Sequence, residues 1–154
     1  MPSCSSLHLE PGPDLRTLTT TKGSLEIWQP APGVVFQRCK GHATVGFSET
    51  ITQRLDVLLS KGIRPVVFDD WEGLTSYDSG ARIHLTAWTA ENASKLRGIH
   101  MLFRSKLVAM GVTVANLTLK GGMATYASRP EFESVLAAAL ARARSGNHPE
   151  PHGP

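Results

Sequence analysis

In Tyr77-Asp78-Ser79-Gly80 a carboxylate and a hydroxyl precede a glycine, directly ahead of a segment with helical spacing. At a helix N-terminus the first backbone N–H groups lack intrahelical acceptors, and the helix dipole favours negative charge. Two chemistries suit this pattern. Asp78 and Ser79 could cap the helix, a contribution of about 1 kcal/mol. Alternatively, Ser79 is a phosphoacceptor. A phosphate adds about −1.5 to −2 charge, which a helix start tolerates and nearby acids repel. It would then break an apolar docking surface with little effect on the fold. Ser76 and Arg82 lie at the rim of that surface. Trp71 and Tyr77 frame it, either as exposed interface aromatics or as buried plugs of the sheet edge.

Asp69, Asp70 and Glu72 follow the apolar run Pro65-Val66-Val67-Phe68 and form an acidic loop. Clustered carboxylates at the C-terminal end of a strand could hold Mg²⁺ or a ligand, or simply be solvated. No phosphate-cradling glycine motif accompanies them, which argues against a nucleotide hydrolase. Ser79 with His42, His84 or His100 and an acid would supply a nucleophile, base and orienting group. However, Ser79 lacks the preceding glycine of a Gly-x-Ser-x-Gly elbow. His84, five residues on and about 500° around the helix, faces elsewhere. The expectation is a chain that performs no catalysis and carries neither metal nor cofactor. Arg104-Ser105-Lys106 precedes another helix, with Ser105 as its cap and the two cations facing an acidic partner or solvent.

At 154 residues, with 41% hydrophobic and 19% charged side chains, the chain suits one α/β domain. A net charge of +3 without a run of basic residues argues against nucleic acid as a partner. Cys4 and Cys39 have no motif spacing, which fits a reducing compartment and a cytoplasmic location. The longest apolar run, Val135 to Ala141, is far short of a membrane span.

Three segments follow from the patterning: 1–22 unstructured, 23–144 a folded domain, and 145–154 an unstructured tail. Strands are expected at Ser24–Gln29 and Val34–Lys40, then at Arg64–Asp69, Leu96–Phe103 and Met123–Tyr126. Helices are expected at Ser48–Ser60 with Gly62 as its stop, from Asp78 to about Asn92, and from Ser105 to about Leu119. For that last segment Val112-Thr113-Val114 also permits a strand. Ile83, Ala87 and Ala90 would line one side of the second helix, with Trp88 alongside. Ser128-Arg129-Pro130-Glu131 reads as a capping box opening a final helix whose buried stripe includes Phe132, Val135, Leu136, Ala139, Leu140 and Ala143.

This order of elements, with strand, loop, Asp-Ser-Gly turn and helix at its centre, resembles the STAS domain and bacterial anti-sigma-factor antagonists over roughly Ser24 to Arg144. The strand and its terminal acid stand as Val66-Val67-Phe68-Asp69, and the turn as Tyr77-Asp78-Ser79-Gly80, one hydroxyl residue shorter than the family's. The resemblance implies a mixed sheet of about five strands with helices mainly on one face. It also implies a signalling module whose serine, here Ser79, takes phosphate from a partner kinase and so releases a protein partner. A small-molecule or lipid-binding domain of the same fold, or a homo-oligomeric structural module, are the alternatives.

Overall fold

In the computed structural model, residues 7, 9–119 and 122–146 are described. The chain forms β1 (Arg16–Thr19), β2 (Gly23–Ala31), β3 (Val34–Ala43), α1 (Val45–Ser60), β4 (Val66–Trp71) and β5 (Leu74–Tyr77). It continues through α2 (Ser79–Asn92), β6 (Gly98–Phe103), α3 (Lys106–Thr118), β7 (Ala124–Tyr126) and α4 (Arg129–Arg144). The strands make one mixed sheet in the order β1-β2-β3-β4-β6-β7, with β5 also paired to β3. The first three strands are antiparallel, and β3, β4, β6 and β7 run parallel.

The sheet is therefore wider than five strands. Arg16–Thr19, placed by its Thr-rich context in the unstructured segment, pairs with β2 from Arg16↔Ile27 to Thr19↔Ser24, and Leu18 packs on the core. The remainder of the two expected unstructured segments falls mostly on residues 1–6, 8 and 147–154, outside the described residues. Leu7, Leu9 and Leu15 rest against the core as well.

The second added strand is β5. Val34 pairs with Val66 and Arg38 with Asp70, but Gly41 pairs with Leu74 and His42 with Ser76. The chain thus gains one residue at the Glu72–Gly73 turn and another at Thr75, and β5 prolongs β4 along the same neighbour. What the sequence presents as a polar loop is mostly strand.

Alternation along the strands divides the core in two. Val35, Val67 and Met101 face Phe47, Ile51 and Leu55 of α1 and Val108 and Val112 of α3. Phe36, Phe68 and Leu102 face Phe132, Leu136 and Leu140 of α4. Three helices therefore cover one face and one covers the other. The helix ends follow local chemistry. Gly62, at φ 78°, closes α1 with Gly62 N–H on Leu59 O (3.0 Å) and Ile63 N–H on Leu58 O (3.1 Å). Ser105 caps α3 by accepting from Val108 N–H at 3.3 Å, and Ser128 caps α4 by accepting from Glu131 N–H at 3.4 Å. Val112–Val114 is helical, because Val108 and Val112 meet the core one turn apart.

Where β2 opposes β3, Gly41 (φ 75°) faces Gly23, and a Cβ on Gly41 would lie 2.2 Å from Lys22 O. Both the conformation and the space require glycine. Gly41→Ala is expected to destabilise the domain by about 2–3 kcal/mol, read from urea denaturation midpoints at unchanged slope.

Candidate functional site

The turn ahead of α2 is held by its neighbours. Asp78 N–H donates to Ala43 O (2.9 Å), and Tyr77 OH donates to Leu107 O (3.4 Å). Asp78 has the extended backbone of an N-cap, yet its side chain caps nothing. Its Oδ1 instead lies 2.7 Å from His42 Nε2, while His42 Nδ1 lies 2.7 Å from Ser76 Oγ. A carboxylate only accepts, so Nε2 carries the proton of that bond. The Ser76–His42–Asp78 chain ties β5, β3 and the start of α2 together.

The expectation that Asp78 and Ser79 cap the helix fails here, since His42 draws the carboxylate away. Ser79 is the exposed first residue of α2. Gly80 is exposed too, and Arg82 stands one turn from Ser79 with no ion pair among the described residues. Around the turn lie exposed apolar side chains. Val45 (37% exposed) is the neighbour a Cβ on Gly80 would touch, and Ile83 (57%) follows on α2. On α3, Leu107, whose carbonyl accepts from Tyr77 OH, and Met110, next in sequence to the Gly111 that Tyr77 and Arg82 lie against, are exposed.

The stripe of Ile83, Ala87 and Ala90, expected along one side of the helix, is the exposed side. The inner face uses Ala81, Leu85 and Trp88, at the same spacing. His84 Nδ1, 2.9 Å from Ser48 Oγ, and Trp88 Nε1, donating to Asp56 Oδ1 at 2.8 Å, fasten that face to α1. Trp71 is half-buried: it packs on the core and donates from Nε1 to Gln37 Oε1 at 3.1 Å, which removes it from the docking surface.

The acids are not a solvated loop, nor a single cluster. Asp69 and Asp70 lie in β4 at 5% and 2% exposure, on opposite faces. Asp70 meets Arg129 Nη2 at 2.8 Å and Arg38 Nε at 3.1 Å; Glu72 meets Arg129 Nε at 2.8 Å and Arg104 Nη2 at 3.3 Å. Arg129 also reaches Glu133 at 2.9 Å. Burial alone would lower the pKa of Arg129, but the hydrogen bonds it donates to Asp70, Glu72 and Glu133 outweigh it and hold it above the usual value. No sequence signal marks Arg129 or Arg38 as partners of β4. Among the described residues, no three His, Cys, Asp or Glu side chains converge to hold a metal ion.

Asp69 faces the three-helix side. Among the described residues its Oδ1 is buried without a hydrogen-bond partner, and burial pushes its pKa up to about 7 against the opposing effect of the Gln37 hydrogen bond. The Cys39 thiol nearby rises to about 12, through burial first and the Asp69 charge second. His100 stacks on Phe68 (4.6 Å between centroids) and meets Tyr126 OH at 2.9 Å. Burial, then Arg142, lowers its pKa.

Two measurements probe these carboxyl groups. Arg129→Ala leaves Asp70 with one cation and is expected to cost about 2–4 kcal/mol in urea unfolding. For Asp69 the folded pKa lies above the unfolded value, so the native state binds the extra proton between the two. Its stabilising contribution is full below about pH 4 and is lost as pH rises to about 7, by up to about 4 kcal/mol. Asp69→Asn should remove that slope from the pH dependence of unfolding.

No family model matches the chain, and no curated protein matches it. Among solved structures, it is similar to an uncharacterized protein from the DUF3478 family with a SpoIIAA-like fold, from Shewanella loihica PV-4. The TM-score is 0.59 at 14% identity, covering 77% of this chain and 98% of that one. It is also similar to an anti-sigma factor antagonist from Mycobacterium paratuberculosis, with a TM-score of 0.49 at 16% identity, covering 88% and 99%. At such identities the likeness is one of fold alone, and the fold of this chain is STAS-like, as in the SpoIIAA-like structure.

Proposed function

We propose that the chain is a non-catalytic regulatory module that binds a protein partner around Tyr77-Asp78-Ser79-Gly80 and is switched by phosphorylation of Ser79. One observation carries this: Ser79 is exposed at an N-terminus of α2 that no side chain caps, because Asp78 is held by His42. The Ser79 and Gly80 amides are thus open to an anion, while Ala81 N–H donates to Asp78 O (3.0 Å), and Arg82 stands one turn away on the same helix.

The partner surface combines that polar turn with Val45, Ile83, Leu107 and Met110, an apolar set suited to desolvated contact. A phosphate on Ser79 would place about two negative charges amid those side chains. The apolar partner face would then have to desolvate a dianion, and Asp78 beside it adds repulsion. The phosphorylated side chain points to solvent, so the domain stays folded while the contact is lost. In this reading the Ser76–His42–Asp78 chain anchors the turn. The setting that fits is a bacterial, cytoplasmic signalling system with a regulatory kinase; among the described residues, no helix is long and apolar enough to cross a membrane.

The test is phosphopeptide mass spectrometry on the chain from its native host, covering Arg64 to Lys95. Substantial phosphate on Ser79 is expected. A fully covered, unmodified peptide under several growth conditions would overturn the switch. Alongside it, Ser79→Glu should change unfolding free energy by no more than about 0.5 kcal/mol, as for an exposed position. A larger loss would mean that charge at this turn acts on the fold.

A further inference from the structure

A cavity of about 110 Å³ lies between the sheet and α1, α2 and α3, beneath Leu85 and Trp88 of α2. Its wall is almost wholly apolar, with Phe47, Ile51 and Met101 among the lining. For scale, a buried apolar cavity of roughly 150 Å³ admits benzene. Asp69 also lines it, with Oδ1 buried and unpartnered. An unmet buried acceptor costs about 1–3 kcal/mol, and in native proteins such exceptions call for a cause.

From the apolar wall and the carboxyl oxygen within it that has no partner among the described residues, we infer that this cavity is a binding site for a small molecule. The ligand would have an apolar body and one hydrogen-bond-donating head, a hydroxyl or an amine, which Asp69 Oδ1 receives. The body fills space that the protein leaves empty, and the head supplies the missing partner. Access runs under α2. Of its fourteen residues only Ala81 and Asn92 are buried, and Leu85 and Trp88, which roof the cavity, are partly exposed. Ser79 does not line the cavity, although Tyr77 and Arg82 of the docking surface do, and the binding measured below does not depend on phosphate at Ser79.

Cyclopentanol, cyclopentylamine and cyclopentane share one ring, and only the first two carry a head. Each would be titrated into the full chain with methyl NMR as the readout. The alcohol or the amine is expected to bind saturably at least about tenfold tighter than the hydrocarbon, shifting the methyls of Leu85, Ile99 and Met101. Which of the two binds tighter separates a neutral donor from an ammonium ion. Asp69→Leu should abolish the preference for a head. Should that variant not fold, the isosteric Asp69→Asn should weaken the preferred ligand about tenfold and leave cyclopentane unchanged. Three results would overturn the inference: no saturable binding of any probe, equal binding of all three, or shifts confined to the exposed methyls of α3.

Discussion

The pairing of β3 with two partners in succession is the constraint on which the rest of the molecule depends. Its first residues run beside β4 and its last beside β5, with Gly41 N–H on Gly73 O at 2.9 Å between them. Parallel strands must keep their slanted hydrogen bonds in step. The residues gained at Glu72–Gly73 and Thr75 therefore shift the register of everything that follows. That shift brings Ser76 and Asp78 to His42 and sends the chain into α2 with its first turn uncapped. The close approach of Gly23 and Gly41 lets β2 hold the same end of β3 from the other side.

Two neighbouring carboxyl groups show how differently one strand can treat like residues. Asp70 faces α4, where Arg129 and Arg38 hydrogen-bond it. Withdrawing a carboxylate from water costs several kcal/mol, and only close, well-oriented cations offset that. Asp69 faces the other way and meets no cation among the described residues, and burial raises its pKa to about 7. One acid is held between two guanidinium groups; the other is pushed toward neutrality by burial. Arg129, the first residue of α4, also gathers Glu72 and Glu133, and so ties the helix covering one face to the turn that ends β4.

α2 is the element where these effects converge. It begins at Ser79, roofs the cavity with Leu85 and Trp88, and is fastened to α1 through His84–Ser48 and Trp88–Asp56. Few of its side chains are fully buried. A helix held by partial burial and a few polar contacts sits toward the low end of local stability, where elements that respond to partners are drawn from.

By itself the sequence determined most of the elements, though neither β1 nor β5, and several of their ends. Apolar runs specified β4 and β6, helical spacing specified α1 and α4, and Gly62, Ser105 and Ser128 marked helix ends, because those signals act within one or two turns. The Asp-Ser-Gly turn was legible for the same reason. β1 was not, since four residues of Thr-rich strand gain their stability from pairing with β2 rather than from their own pattern. The inward face of α2 was not legible either. Ile83-Ala87-Ala90 and Ala81-Leu85-Trp88 share one spacing, and only packing against α1 and the sheet selects the bulkier set. Tertiary structure alone decided that Asp78 serves His42 instead of the helix, that Arg129 neutralises Asp70 across 59 positions of chain, and that Asp69 lines a cavity. Those outcomes depend on which residues the sheet register brings face to face. Register is a property of paired strands, and no single segment carries it.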